Sequence, residues 1–506
     1  MESRSVRVAR LPISVPSSPR SGPRKVRISQ TGGAPRVRGF RYTPLPRHLS
    51  PGGDGVSETK HLAGFKAYDI RGKVPSELDA EMAEKIGRAF VQFTGAKRVA
   101  VGRDIRLSSA EIAGAVIAGL NAAGADVVDL GLCGTEQVYF ATFHLGLDGG
   151  IMVTASHNPA DYNGLKLVRE GARPISADTG LAEIERRLIE DDLGPAPGGG
   201  KTELGNLAAD YVEHLLSYID RDALRPLKVV VNAGNGGAGQ VIDLLEPHLP
   251  FEFIKLLHEP DGTFPNGVPN PLLPDNRKIT ADAVKAHGAD VGIAWDGDFD
   301  RCFLFDENGQ FIEGYYIVGL LAQSVLERHP GAKIVHDPRL TWNTIEIVEP
   351  AGGVPVQCKS GHAFIKEVMR REDAAYGGEM SAHHFFREFS YCDSGMIPWL
   401  LILELISKSG RPLSGLIGDR IERFPASGEI NRHVDDADAA LASIERTYAP
   451  DALKVDHTDG VGIDFEGWRF NLRKSNTEPL IRLNVETRGD IELMRRRTDE
   501  VLALMK

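Results

Sequence analysis

The chain has 506 residues, of which 42% are hydrophobic and 25% are charged, and its formal net charge is −11. This length allows about three or four domains with substantial cores, in a protein of ordinary globular composition. Residues 1–50 contain eleven lysines or arginines and one acidic residue, which leaves 48 basic and 69 acidic residues elsewhere. So acidic a body argues against a nucleic-acid partner, and the longest apolar run, at 396–403, is too short to span a membrane.

The first 60 residues are rich in arginine, serine and proline and show little apolar periodicity. A segment that cannot bury a core is expected to be disordered. Arginine- and serine-rich leaders also resemble organelle transit peptides, but the prolines Pro12, Pro16, Pro19 and Pro23 would break the amphipathic helix that such a peptide needs. We therefore expect a dispensable tail, or a start codon placed too far upstream.

After this tail, short β-branched runs alternate with helical stretches such as AEMAEKIGRAFVQF and SAEIAGAVIAGLNAAG. The runs that predict buried strands are RVAVGRD (98–104), ADVVDLG (125–131), GGIMVTA (149–155), KVVVNAG (228–234), ADVGIAWD (289–296) and KIVHD (333–337). Such alternation predicts α/β domains with mixed or parallel sheets that are covered on both faces. The four scattered cysteines, without a CxxC pair, predict lone reduced core residues.

The C-terminal region differs, with a helix predicted over 433–450, strands around 462–473 and 479–486, and a final helix. We predict three consecutive α/β domains with mixed sheets and a C-terminal α+β domain. The expected divisions of the chain, with the tail, are 1–60, 61–205, 206–310, 311–421 and 422–506. Ligands of such sheets bind at loops that follow the carboxyl ends of strands.

Two glycine-rich segments have to be weighed as nucleotide-binding loops. GGGKT at 198–202 lacks the leading glycine of a Walker loop, because Pro195 stands at that position. GNGGAG at 234–239 fits GxGxxG between a strand and a helix, with Glu259 about twenty residues further on. Glu259 lies in a turn-like context, so a tight strand-to-helix turn explains these glycines equally well. A nicotinamide enzyme is therefore kept only as an alternative.

TASHNP at 154–159 places Ser156 between an apolar run and a loop of turn-forming residues. No GxSxG elbow surrounds this serine, so serine-hydrolase chemistry is unsupported. A nucleophile at the end of a strand and an ordinary surface serine both remain open from this segment alone.

DGDFDR at 296–301 carries Asp296, Asp298 and Asp300 directly after a buried strand. Three carboxylates this close repel one another unless a metal ion or protons compensate, and hard oxygen ligands favour Mg²⁺ or Ca²⁺. An EF-hand is contradicted by Arg301, which stands where the calcium loop needs glycine. The segment predicts a Mg²⁺ site, with a solvated acidic turn as the alternative.

GGEMSAHHFF at 377–386 carries Glu379, Ser381 and the adjacent pair His383 and His384. Adjacent residues on a strand point to opposite faces, so hydrogen bonding to a polyhydroxylated ligand fits better than a two-histidine metal site. In NLRKSNTEPLIR, the cationic and hydroxyl donors that would suit a phosphate site are Arg473, Lys474, Ser475, Asn476 and Thr477. A charged surface hairpin is the alternative there. Together the four segments predict phosphoryl transfer on a phosphorylated polyol.

From about residue 62 to the end, the chain resembles the α-D-phosphohexomutases. FKAYDIRG (65–72), TASHNP, DGDFDR, GEMSAHH and RKSNTEP match that family's motifs in order and spacing. GEMS and Asn476 resemble the phosphomannomutase/phosphoglucomutase branch, and GARPIS (171–176) and YCDSGMIPWLL (391–401) its bacterial members that supply GDP-mannose synthesis. Ala382 departs from the glycine of the well-known bifunctional enzymes, which leaves glucose tolerance open.

The resemblance implies four domains arranged around a central cleft, and a reversible conversion of mannose 6-phosphate and mannose 1-phosphate. Ser156 would carry a phosphate, and hexose 1,6-bisphosphate would be the intermediate and activator. One Mg²⁺ per chain would be held by phosphorylated Ser156 with Asp296, Asp298 and Asp300, while Arg301 neutralises the same phosphate. A phosphoglucomutase, an enzyme with both activities and, more distantly, a metal-dependent sugar phosphatase are the alternatives.

The same resemblance implies the substrate contacts. The ring hydroxyls would be bound by Glu379, Ser381 and His383, and the non-reacting phosphate by Arg473, Ser475, Asn476 and Thr477. The candidates for the general acid/base are Lys166, His362 and Arg71, and the residues expected to line the cleft are Tyr68, His157 and Lys359. The implied protein is a cytoplasmic monomer or weak homodimer whose partner is a phosphorylated hexose, with no nucleic acid and no membrane.

Overall fold

The computed structural model describes residues 61–474 and 480–505. The predicted tail, residues 1–60, lies outside the described residues. All four cysteines are buried and free, as expected of lone core residues. Within the described ranges, no helix combines the length and apolar character that crossing a membrane requires.

The first domain is built on a seven-stranded mixed sheet. Its strands are β1 (Ile70–Lys73), β2 (Arg98–Arg103), β3 (Asp126–Leu132), β4 (Gly149–Val153), β5 (Tyr162–Arg169), β6 (Arg173–Pro174) and β7 (Thr202–Leu204). Its helices are α1 (Ala80–Thr94), α2 (Ser109–Ala122), α3 (Thr135–His144) and α4 (Leu181–Ile189). The strand order is β1-β5-β4-β2-β3-β7, with β6 beside β5, and β1 and β5 supply the antiparallel pairs.

The second domain has a five-stranded mixed sheet in the order β12-β11-β10-β8-β9. These strands are β8 (Lys228–Asn232), β9 (Glu252–Leu256), β10 (Val291–Trp295), β11 (Cys302–Phe305) and β12 (Phe311–Ile312). The accompanying helices are α5 (Ala208–Leu216), α6 (Ala238–Leu245) and α7 (Lys278–His287). Strands β8, β9 and β10 run parallel, and β11 turns back antiparallel to β10.

The third domain repeats this plan with the order β14-β13-β15-β16-β17. Its strands are β13 (Lys333–His336), β14 (Val354–Gln357), β15 (Tyr376–Gly378), β16 (His384–Phe386) and β17 (Cys392–Asp393). Its helices are α8 (Gly314–Arg328), α9 (Trp342–Val348), α10 (His362–Glu372), α11 (Ile397–Ser409) and α12 (Leu413–Arg423).

The fourth domain has a wholly antiparallel sheet in the order β18-β22-β21-β20-β19. Its strands are β18 (Ile430–His433), β19 (Lys454–Asp456), β20 (Val461–Asp464), β21 (Trp468–Lys474) and β22 (Leu480–Thr487). Two helices, α13 (Ala437–Tyr448) and α14 (Ile491–Leu504), complete this α+β unit.

The capping residues and apolar periodicity of helix α1 show how local sequence sets its bounds and its buried face. Helix α1 begins after Asp79, whose carboxylate accepts a hydrogen bond from the backbone N–H of Met82, and it ends at Gly95 in a left-handed conformation. Its buried residues include Ile86 and Phe90, four positions apart on one face. The same agreement extends to the strands, since all six predicted runs form strands in the structure.

The fold class predicted from the sequence is confirmed, with three mixed sheets followed by an α+β domain. One detail adds to the prediction, because β7 follows the Pro/Gly-rich stretch at 194–201 and still pairs with β3 of the first sheet. One continuous core runs through the second and third domains and also takes in Tyr139 and Phe140 of α3, while each of the two domains has a smaller separate cluster as well. Helix α3 therefore lies where three domains meet.

Candidate active site

Ser156 lies just beyond β4 in a left-handed backbone conformation, with φ at 51° and an exposure of 3%. Its N–H donates to the Thr154 hydroxyl (2.9 Å), and its carbonyl accepts from Arg106 Nη2 (2.9 Å). The Ser156 hydroxyl donates to Asp296 Oδ2 at 2.7 Å. This serine is therefore fixed at the end of a strand and directed at the acidic segment, not displayed on the surface.

The metal loop, residues 296–301, connects β10 to β11. Its three aspartates, Asp296, Asp298 and Asp300, are 0–1% exposed and each offers a carboxylate oxygen within 4.8 Å of the others. Among the described residues, Asp298 Oδ1 and Asp300 Oδ1 have no hydrogen-bond partner. Buried, converging hard oxygens with unused acceptor capacity fit a divalent cation such as Mg²⁺. Burial excludes the solvated acidic turn.

Two buried cations balance part of this negative charge. Lys166 Nζ donates to Asp298 Oδ2 at 2.7 Å and to Asp300 Oδ2 at 2.5 Å. Arg301 Nε donates to Asp296 Oδ2 at 2.8 Å, and its Nη2 lies 3.5 Å from the Ser156 hydroxyl. Burial opposes the charged form of Lys166, but the two aspartates outweigh it and raise the pKa of this lysine.

The remaining predicted residues beside Ser156 are His157 and Arg71. Arg301 Nη2 donates to His157 Nδ1 at 2.5 Å, and burial together with Arg301 lowers the pKa of His157 well below its usual value. Arg71 donates from Nη1 to the Asn158 side chain at 2.7 Å and from Nε to a nearby aspartate. His157 is thus a neutral acceptor, and Arg71 shapes the loop that carries the serine.

The sugar loop, residues 377–386, meets the metal loop through His383. His383 Nε2 lies 3.6 Å from Asp300 Oδ1, and its Nδ1 lies 3.3 Å from Glu379 Oε2. Burial would lower the pKa of His383, but the neighbouring carboxylates of Asp300 and Glu379 raise it to about 9. His384 points the other way, toward the Tyr376 hydroxyl (2.7 Å), and burial lowers its pKa to about 3. The predicted alternation of these histidines is confirmed.

His362 begins α10 and lies beside the sugar loop. Its ring is 5.8 Å from that of Tyr68 and 6.2 Å from that of His383, measured between centroids. Neither ring nitrogen of His362 has a hydrogen-bond partner among the described residues, and burial lowers its pKa well below the usual value. Lys359 is exposed, with Nζ 4.9 Å above the centroid of the Phe364 ring.

Arg339 and Glu429, which the sequence did not single out, connect the sugar loop to the fourth domain. Arg339 Nη2 lies 3.6 Å from Glu379 Oε1 and 3.4 Å from the Ser381 hydroxyl, while its Nη1 donates to Glu429 at 3.2 Å. Arg473 donates to the same oxygen of Glu429 at 3.1 Å. Arg339 follows the predicted strand KIVHD, so the rule that ligands lie at strand ends could have found it.

Of the predicted phosphate-binding set, Arg473 is the member that the structure describes. The other three, Ser475, Asn476 and Thr477, lie outside the described residues. Lys474 beside them is half exposed at 49% and pairs with Asp438 at 2.6 Å.

Thr135 and Arg106 are further residues at the site that the sequence did not indicate. The Thr135 hydroxyl donates to Asp298 Oδ2 at 2.6 Å. Arg106 is 2% exposed and donates to four backbone carbonyls between residues 156 and 162. Both follow strand ends of the first sheet, but their partners lie far away in sequence.

The GNGGAG turn is explained by packing. A Cβ on Gly239 would lie 2.3 Å from the His258 carbonyl, and one on Gly236 would lie 3.0 Å from the Ala233 carbonyl and 3.1 Å from the Gly297 carbonyl. Glycine is required there by close backbone approach. These contacts favour the tight-turn interpretation over dinucleotide binding.

Models of one enzyme family match the described body of the chain from end to end. Domain I of phosphoglucomutase/phosphomannomutase matches residues 63–194, domain II residues 209–309, domain III residues 313–424 and the C-terminal domain residues 429–504.

Individual proteins agree with this match. The chain is 62% identical over 448 residues to "Phosphohexose mutases" of Xanthomonas campestris pv. campestris, and 60% identical over 453 residues to a phosphomannomutase of Salmonella montevideo. Each alignment covers 88% of this chain and 99% of the relative. A crystal structure of a phosphoglucomutase/phosphomannomutase family protein from Burkholderia thailandensis, 36% identical, superposes with a TM-score of 0.79 over 88% of this chain and 97% of that one.

Proposed function

Because the chain belongs to the phosphoglucomutase/phosphomannomutase family, we propose that it interconverts mannose 6-phosphate and mannose 1-phosphate. The carrying observation is Ser156, whose hydroxyl lies 2.7 Å from Asp296 within a buried cluster of three carboxylates. Relatives that are 55–60% identical bear the name phosphomannomutase, which supports mannose phosphate as the substrate.

Charge neutralisation at Ser156 is the first task of the site. One Mg²⁺, held by Asp296, Asp298, Asp300 and phosphorylated Ser156, would supply positive charge against the transferring phosphoryl group. Arg301 neutralises that same group, since its Nη2 is 3.5 Å from the serine oxygen. Lys166 keeps Asp298 and Asp300 together through its two hydrogen bonds, so the ligand oxygens stay close despite their mutual repulsion.

The sugar hydroxyl that receives the phosphoryl group must lose a proton to a positioned base. We assign this role to His362, because neither of its ring nitrogens has a hydrogen-bond partner among the described residues. Lys166 and Arg71 are engaged by aspartates and serve as fixed charges. In the return half-reaction, protonated His362 gives the proton back to the departing sugar oxygen.

The two half-reactions need a sugar that binds in two orientations. Glu379, Ser381 and His383 would bind ring hydroxyls that both orientations present. The non-reacting phosphate would be held by Arg473 with Ser475, Asn476 and Thr477. The hexose 1,6-bisphosphate, formed when Ser156 gives up its phosphoryl group, would turn over in the site and return its other phosphate to the serine.

Glucose phosphate is a second candidate substrate. The name of the Xanthomonas relative, phosphohexose mutases, is not restricted to mannose. Steric selection among hexose phosphates would rest on the sugar loop, where Ala382 adopts a left-handed conformation with φ at 70°. We further propose a cytoplasmic enzyme that acts as a monomer or weak homodimer, with no nucleic-acid or membrane partner.

Steady-state kinetics on mannose 1-phosphate and glucose 1-phosphate, side by side, test this proposal. A phosphomannomutase gives the higher kcat/KM with the mannose substrate, needs Mg²⁺, and is stimulated by hexose 1,6-bisphosphate. Inorganic phosphate is measured in the same samples, because a phosphatase releases it steadily whereas a mutase releases almost none. Steady phosphate release, or turnover that requires a nicotinamide, would contradict the proposal.

A further inference from the structure

Glu136, the second residue of α3, has a fully buried carboxylate that none of the roles above uses. Its Oε1 accepts hydrogen bonds from the Tyr211 hydroxyl at 2.5 Å and the Ser394 hydroxyl at 2.9 Å. Its Oε2 accepts from the backbone N–H groups of Gly395 at 2.6 Å and Met396 at 3.2 Å. Burial raises the pKa of Glu136 to about 8, but the four surrounding donors match the ionised carboxylate, which only accepts hydrogen bonds.

These contacts tie the start of α11 to the start of α3. The first N–H groups of a helix have no partner inside the helix; the N–H of Ile397, the first residue of α11, donates to the Ser394 hydroxyl, and those of Gly395 and Met396 just before it donate to Glu136. A carboxylate is also favoured there by the helix dipole. Glu136 thus joins a helix of the first domain to the central buried helix of the third.

Both of the elements that Glu136 joins lie against the metal loop. On one side, Thr135 donates its hydroxyl to Asp298 at 2.6 Å and its N–H to the Asp298 carbonyl at 3.2 Å. On the other side, the Gly395 carbonyl accepts from Trp295 Nε1 at 2.9 Å, and a Cβ on Gly395 would lie 2.3 Å from the Phe299 carbonyl. The metal loop is therefore enclosed between two segments whose separation Glu136 sets.

We infer that Glu136 is a positioning residue for the metal loop, and this inference rests on the proposed function. The two segments that Glu136 joins contact Asp298, Trp295 and Phe299 directly, whereas the sugar loop meets the metal loop at a different point, where His383 lies beside Asp300. Loss of the carboxylate therefore weakens the binding of the divalent cation and leaves sugar-phosphate binding intact. Mutation of residues that orient metal ligands without contacting the metal typically lowers metal affinity by about 10–100-fold.

The test compares Glu136→Gln with Glu185→Gln in the full-length protein. Glutamine keeps the shape but turns an NH₂ group toward buried donors, which leaves at least one of them unsatisfied. Glu185 is a matched control, because it is 8% exposed, lies in the same domain on α4 and accepts a backbone N–H from Leu62 at 2.8 Å. Mg²⁺ binding is measured by calorimetry without sugar, and KM for mannose 1-phosphate is measured at saturating Mg²⁺.

We expect the Kd for Mg²⁺ to rise about tenfold or more in Glu136→Gln, with KM within twofold of the wild type and Glu185→Gln unchanged in both. A lower melting temperature with an unchanged Kd would show a purely structural role and overturn the inference. If Glu136→Gln does not fold, Ser394→Ala replaces it, and a Kd that does not rise in that variant overturns the inference as well.

The two proposals fail separately. Wild-type protein that lacks mutase activity but binds Mg²⁺ in a Glu136-dependent way would refute the function and leave the positioning role intact. A Mg²⁺-dependent mutase with an unchanged Kd in Glu136→Gln would refute the positioning role alone.

Discussion

The metal loop and the phosphate-binding end of the site differ in how their charges are balanced. In the metal loop, three buried aspartates are met by Lys166, Arg301 and His383, and two of their carboxylate oxygens still have no hydrogen-bond partner among the described residues. At the other end, Arg339, Arg473 and Arg482 converge on the single carboxylate of Glu429. Arg473 Nε there is buried without a hydrogen-bond partner among the described residues. One end is thus completed by a cation, the other by an anion.

Because the two ends bind different ligands, substitutions at each end should change different kinetic and binding constants. The metal end is assembled within the protein before any sugar arrives, so changes there should affect the chemical step and Mg²⁺ binding. At the phosphate end three arginines gather around Glu429, with Arg339 also paired to Asp337 at 2.9 Å, so changes there should affect the use of every substrate that carries a phosphate.

The largest effect is expected from Ser156→Ala, which removes the nucleophile at the metal end. Turnover should fall by at least about 10⁴-fold, because no other described hydroxyl lies at 2.7 Å from Asp296 in its place. Phosphopeptide mass spectrometry should find about one phosphate per wild-type chain on Ser156 and none in the variant. Phosphate on another residue, or near-normal turnover in the variant, would refute the assignment.

Asp298→Asn should have the next largest effect, with a loss of at least about 100-fold in kcat, since a bound cation contributes several kcal/mol to the transition state. Stabilisation of the protein by Mg²⁺ tests the metal assignment more directly than kcat does. Mg²⁺ at 100 times its Kd should stabilise the wild type by about 2.7 kcal/mol, and this gain should be absent in the variant. Activity that survives exhaustive chelation in the wild type would remove the metal from the mechanism.

Arg473→Ala tests the phosphate end. Loss of a charge-assisted contact worth roughly 1.5–3 kcal/mol should lower kcat/KM by about 10–150-fold, for mannose and glucose phosphates alike. The neighbouring Lys474→Ala is the matched control, because its half-exposed pair with Asp438 is worth no more than about 1 kcal/mol and only to stability. Equal kinetic constants in the two variants would favour the alternative interpretation of this segment as a charged surface hairpin.

The smallest effect is expected from deletion of residues 1–58, which contain no apolar face to dock on the body. Kinetic constants on both sugars and the melting temperature should stay within about twofold and a few degrees of the full chain. A larger change would mean that the basic tail contributes to one of the two ends.

The sequence predicts most of the architecture and the local part of the site. Alternation of β-branched runs and helices is a short-range property, so β2, β4 and β10 could be identified directly. Asp296, Asp298 and Asp300 lie within five residues of one another, and their convergence follows from repulsion and loop geometry alone. The opposite directions of His383 and His384 likewise follow from the two-residue period of a strand.

The contacts that complete the site are those that sequence cannot supply. Lys166 reaches Asp298 across 132 positions, and Arg339 meets Glu429 across 90. Such pairs depend on how one sheet is placed against the next, which no local pattern encodes. The pairing of β7 with β3 is a similar case, because a Pro/Gly-rich stretch favours a break and says nothing about where the chain returns.

The left-handed backbone of Ser156 has a consequence for engineering. A residue with a side chain at φ 51° is strained by roughly 1 kcal/mol relative to glycine. Substituting glycine here would relieve that strain while abolishing turnover. Any stabilisation campaign on this scaffold must therefore keep position 156 fixed and search elsewhere.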